Sequence, residues 1–144
     1  MATNNDSDGI RDAALRDLRA AEDAADAVRD RPWPIWLYPL NALLLGGIAL
    51  TPVLQGGNRS TVLLAISLVL ILVNMTVGYR MGTPTAIPTS QGFRNGLTVA
   101  AFAVIASLLL ASFGPPGWVF LSCAFVAVVS FSLGSIAHMR SVSP

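Results

Sequence analysis

Two carboxamides stand out in a chain of 144 residues that is 53% hydrophobic and only 12% charged. Asn41 lies inside an apolar stretch that begins near Ile35, and Asn74 lies shortly before Tyr79 closes another. At about 1.5 Å of helix rise per residue, both sit roughly 7 to 9 Å inside the same border, so the two amides can meet. Such a pair reads in two ways: polar glue between neighbouring helices, worth roughly 0.6 to 2 kcal/mol in a membrane, or a contact to a ligand or partner.

The second place with polar capacity is the segment from Arg80 to Gly96. Arg80 and Arg94 bracket the hydroxyls of Thr83, Thr85, Thr89 and Ser90, together with free backbone N–H groups beside Gly82 and Gly92. That set could hold an anionic headgroup or an acidic segment of a partner. A simpler reading has the arginines setting topology, the prolines stiffening the loop, and Thr89 or Ser90 capping the next helix.

Most other chemistry fails by counting. Lone Cys123 and lone His138 do not make a zinc site, which ordinarily takes three or four protein ligands. Cys123 reads as a small buried residue and His138 as an interfacial one. There is no pair of carboxylates placed for acid–base work, no His-Glu-x-x-His, and no glycine-rich loop opening a helix. The expectation is a non-enzyme with no cofactor, no metal and no nucleic-acid partner.

The elements that hold these residues are legible from hydropathy. Soluble domains carry about 25% charged residues, and the mean hydropathy of +0.63 points the same way, so the chain is read as an integral membrane protein. All eight acidic residues lie in residues 1–30 beside four arginines, net −4; the remainder holds five arginines and no acid, net +5. Residues 1–9 are polar and expected to be disordered, with Ser7 or Asp8 as a cap. From Ile10 to Arg29, Ala14, Leu18, Ala21, Ala25 and Val28 recur at helical spacing and build a narrow seam, which either docks or stays solvated. Asp12 and Arg16 form an i, i+4 pair, and Pro32 and Pro34 close the helix.

Beyond this acidic tail (1–31) the expectation for 32–144 is a transmembrane domain of four spans, at about 35–54, 61–79, 97–113 and 118–137, each able to cross a core of about 30 Å. The third span reads as the shortest. The predicted fold is all-α: an integral membrane four-helix bundle of two antiparallel hairpins, with an N-terminal amphipathic cytoplasmic helix. Small residues at four-residue spacing (Ala42 with Gly46, Ala103 with Ser107 and Ala111, Cys123 with Ala127, Ser130 with Gly134) mark packing faces. Span two, rich in Leu, Ile and Val, is left to face lipid or a partner. Eight arginines fall on the side of the termini and Arg59 alone on the other, so both termini are expected in the cytoplasm. Trp33, Trp36, Tyr38, Tyr79, Phe113 and Trp118 read as interfacial belts.

In length and span count the chain is similar to the small multidrug resistance transporters. That family depends on a membrane-embedded glutamate in its first span, where this chain has Asn41, so its coupled exchange does not carry over. The run from Arg31 to Leu40 (RPWPIWLYPL) and the segment from Tyr79 to Ser90 resemble small four-span integral membrane proteins of high-GC Gram-positive bacteria. The resemblance implies a plasma-membrane location and no activity. The functional expectation is a non-enzymatic accessory or scaffold subunit of a membrane complex, bound to the bilayer and to another membrane protein or a second copy. The alternatives are a homo-oligomeric pore, a holin-like protein or an uncoupled exporter, and a regulator acting through the N-terminal helix.

Overall fold

The computed structural model describes residues 4–29, 33–54, 57–82, 88 and 90–142. Among these the chain is helical throughout, with five α-helices and no strand. Three of the helices are long and apolar enough to cross a membrane.

Helix α1 (Asn4–Arg29) begins earlier than expected. Residues 4–9 belong to the helix, which corrects the expected disorder over that part and the cap at Ser7 or Asp8. Every described side chain from Gly9 to Ala24 is exposed, so Ala14, Leu18 and Ala21 pack on nothing. Arg16 donates from Nε to the Asp12 main-chain carbonyl at 3.2 Å, not to its carboxylate.

Helix α2 (Leu37–Leu50) is entered through a turn in which the Leu37 N–H donates to the Pro34 carbonyl at 2.8 Å. Pro39 falls in the first turn, where a missing N–H costs no intrahelical bond. Pro52 lacks the N–H needed to continue, and the chain tightens into a 3-10 turn at Thr51–Val53. Helix and turn together reach about 27 Å, which makes this the short apolar element. The expectation that the third stretch would be shortest is corrected, because helix α4 (Gln91–Leu110) starts well before the predicted Leu97 and continues as a 3-10 turn to Phe113.

Helix α3 (Asn58–Met81) ends at Gly82, whose left-handed φ of 74° lets its N–H turn back to the carbonyls of Gly78 and Tyr79. Helix α5 (Gly117–Val142) follows the turn at Gly114, which is also left-handed, and runs beyond the predicted end at Ala137.

The core lies between α2, α4 and α5. On α5 the buried positions Phe120, Ala124, Ala127, Phe131, Gly134 and His138 recur at spacings of four and three, one continuous stripe. Its tightest point is Gly134 against Gly96 of α4. A Cβ on Gly96 would lie 2.5 Å from the Ser130 carbonyl oxygen and 2.8 Å from the Gly134 Cα, so the two backbones touch where only hydrogens fit between them. Helix α2 packs on this hairpin more than on its sequence neighbour α3. Gly46 lies against Val128, and the Ser107 hydroxyl of α4 donates to the Ala49 carbonyl, in the last turn of α2 where carbonyls lack intrahelical partners. Helix α3 has no buried residue; its inner stripe of Leu63, Ile66 and Leu70 only leans on the core.

Gly96→Ala is expected to destabilise the protein by about 1–3 kcal/mol through overpacking, even though Ala is the better helix former. Gly57→Ala, where nothing lies within 4 Å of the added methyl, should stay within about 0.5 kcal/mol of the parent. Reversible unfolding of both variants in mixed micelles checks the contrast.

Candidate functional site

Asn41 and Asn74 face each other across α2 and α3 as a reciprocal amide pair. Asn41 Nδ2 donates to Asn74 Oδ1 at 3.0 Å, and Asn74 Nδ2 donates to Asn41 Oδ1 at 2.8 Å. Asn74 Nδ2 also donates to the Leu70 carbonyl at 2.7 Å, which uses its second hydrogen. The carboxamide of Asn41 carries two hydrogens, and one of them is engaged by Asn74. Asn41 is almost wholly buried, at 3% exposure.

The pair forms one wall of a cavity of about 180 Å³. Leu70 and Asn74 of α3 stand on one side, and Phe93, Leu97 and Phe131 of the α4/α5 hairpin on the other, with Trp33 and Leu45 completing the lining. The gap exists because α3 is tied to α2 and does not close onto α4 and α5. An aromatic cluster seals its end. Trp33 stacks on Tyr38 with ring centroids 5.9 Å apart and meets Phe93 edge-on at 5.5 Å, while Phe93 meets Phe131 at 5.7 Å. The Tyr38 hydroxyl accepts the Trp33 main-chain N–H at 3.2 Å.

This cluster corrects two expectations. Trp33 and Tyr38 serve internal packing instead of an interfacial belt; Trp36, Tyr79, Phe113 and Trp118 do remain exposed. His138, read as interfacial, is fully buried against Phe93 (5.6 Å) and Tyr38 (6.4 Å), because α5 continues past Ala137 and carries it inward.

The Arg80–Arg94 segment is only partly described. Thr83, Thr85 and Thr89 lie outside the described residues. Arg80 stands in the last turn of α3 and Arg94 in the first turn of α4, both exposed. Ser90 occupies the N-cap position of α4 with extended backbone, yet its side chain makes no capping bond, and its buried Oγ has no hydrogen-bond partner among the described residues. The expected side-chain cap by Ser90 is therefore corrected; the turn is held by the main chain, where the Arg94 N–H donates to the Ser90 carbonyl at 3.1 Å.

The structure brings a further lining contact from a place hydropathy had assigned to a loop. Phe93, with Gly92 and Gly96 beside it, sits on α4, and the signal was present as Gly92-x-x-x-Gly96-x-x-x-Ala100. A Cβ on Gly92 would lie 2.8 Å from the Ala137 methyl. Chemically the arrangement offers a neutral hydrogen-bonding wall beside aromatic faces. Among the described residues no group of three or more His, Cys, Asp or Glu is placed to hold a metal. Comparisons with protein-family models, with curated proteins and with solved structures give no match, so the reading of this site rests on its geometry.

Replacing Asn74 alone by leucine should cost more stability than replacing both asparagines, because the Asn41 amide left behind is buried without its partner. A double-mutant cycle over Asn41→Leu and Asn74→Leu is expected to return a coupling of about 0.6–1.7 kcal/mol. A coupling of zero would show that the two amides contribute independently.

Proposed function

We propose that this chain is a non-enzymatic accessory or scaffold subunit of a plasma-membrane complex, with four helices in the bilayer, both termini in the cytoplasm, and α3 as the helix that receives a partner. The observation that carries the reading is the state of α3. It is long and apolar enough to cross a membrane, and none of its residues is buried. A helix inside a finished bundle buries a stripe, and this one is held by an amide pair and a few half-buried leucines and isoleucines.

Lipid alone would satisfy an apolar face, since lipid tails are as apolar as leucine. The cleft beside Asn41 and Asn74 presents amide groups, for which a lipid tail has no hydrogen-bonding partner. The positive-inside bias supports the orientation, and the lack of any acid after Asp30 argues against a proton- or sodium-coupled transporter. Arg94, exposed in the first turn of α4, is proposed as a cytoplasmic contact for the same partner. A second reading is favoured by α1, whose described side chains are all exposed: a regulator that binds through that helix.

Photo-reactive residues at Leu64, Leu68 and Ile71, on the outer face of α3, are expected to cross-link one different membrane protein in native membranes. The same probe at the buried Phe131 should not. Adducts between copies of this chain only would replace the accessory reading with a homo-oligomer. Loss of all partner binding on removal of residues 1–30, with no adducts from α3, would favour the regulator.

A further inference from the structure

We propose that the outer groove between the start of α2 and the C-terminal half of α3 is a binding site for an anionic phospholipid, with Arg80 on the phosphate and one acyl chain along α3. The inference rests on reading the chain as embedded in a bilayer. The groove encloses about 280 Å³ and is lined by Trp36, Leu72, Val73, Thr76, Val77 and Arg80. It lies away from the amide pair, and no residue lines both spaces.

The spacing of the five α3 residues places them on one stripe of the helix. From Leu72 to Arg80 the stripe runs about 12 Å, close to the depth of one leaflet of a hydrocarbon core about 30 Å thick. Its wall is apolar up to its end. The one hydroxyl on it, Thr76, donates to the Leu72 carbonyl of its own helix at 2.7 Å and so spends its hydrogen internally. At the end stands Arg80, exposed, on a chain that has no acidic residue after Asp30 to neutralise it from α2, α3, α4 or α5. The partial negative charge of the α3 C-terminus beneath it is reduced by the Gly82 N–H, which covers the carbonyls of Gly78 and Tyr79.

Trp36 forms the opposite wall, half out of the protein at 54% exposure. An indole at the headgroup level presents its apolar face to a chain and its N–H to the ester region. A cation at one end of an apolar slot as long as a leaflet is complementary to a molecule with a single anionic head and a long tail. Free phosphate would meet one arginine here and no further charged side chain. An acidic peptide would have to lay its backbone along an apolar wall.

The test uses the full chain reconstituted in phosphatidylcholine vesicles containing a minor fraction of phosphatidylglycerol, with bromine on the acyl chains of one lipid at a time. Trp33→Phe and Trp118→Phe leave Trp36 as the only tryptophan. Brominated phosphatidylglycerol is expected to quench Trp36 with an apparent preference of about fivefold over brominated phosphatidylcholine. Arg80→Gln should remove that preference, while Arg94→Gln and Arg59→Gln keep it. Because Trp33 belongs to the aromatic cluster, the lipid retained by the chain with all three tryptophans intact is counted in parallel by native mass spectrometry, with the same three arginine variants. Equal affinity for the two lipids, or equal loss in Arg94→Gln, overturns the site. Displacement of the lipid by inorganic phosphate at matched concentration overturns the lipid in favour of a phosphate site. A chain that does not enter the vesicles overturns this inference and the membrane reading together, whereas insertion without lipid preference overturns this inference alone.

Discussion

The contact on which the rest of the packing depends is the approach of Gly96 to Gly134. Two helix backbones that touch leave no room for adjustment along their line of contact, so α4 and α5 have a defined register. Their paired surface is then the floor on which α2 lies, with Gly46 against Val128 and the Ala49 carbonyl reached by Ser107. Helix α3 is the last member of this hierarchy. It depends on α2, and α2 on the hairpin, so a methyl group added at Gly96 is felt at Asn74 through two layers of packing.

Hydroxyl groups follow a different rule from amides here. Thr98, Ser122 and Ser130 stand on faces of α4 and α5 and each donates to the carbonyl four residues earlier in its own helix. Side chains that satisfy themselves in this way present little polarity outward. The two asparagines cannot be satisfied by a single local bond, since an amide has two donors and an acceptor oxygen, and they meet each other instead. Side chains that do tie separate helices together include the amide pair and Ser107. Helix α3, joined to α2 by the amide pair, buries none of its own residues.

The meeting of Asn41 and Asn74 was legible in the sequence because depth from a common border is simple arithmetic on helix rise. Helical class and the apolar character of the stretches were legible for a similar reason. What hydropathy misplaced were the ends. Gly92 to Gly96 sit among Gln91, Arg94 and Asn95, and a polar neighbourhood reads as loop even when its glycines lie in close contact with the next helix. His138 lay just beyond the last apolar run and was assigned to the border, although α5 continues through it. Pro52 was visible, and its effect in shortening α2 was hidden by the apolar residues that follow it. In each case composition marks where a segment prefers to be, while helix ends are decided by caps, prolines and contacts from other helices.

The pairing of α2 with α5 has a consequence for synthesis. Chains emerge from the N-terminus at roughly 5–20 residues per second, and α2 is complete long before the last helix exists. Until α4 emerges α2 has only α3 to lean on, and among the described residues the two amides are the specific hydrogen bonds between them. The contacts that bury Ala42 and Gly46 are non-local and form after the whole chain has been made. The asparagine pair therefore acts in time as well as in space, as a provisional clasp that keeps the first two apolar helices in register until their permanent neighbours arrive.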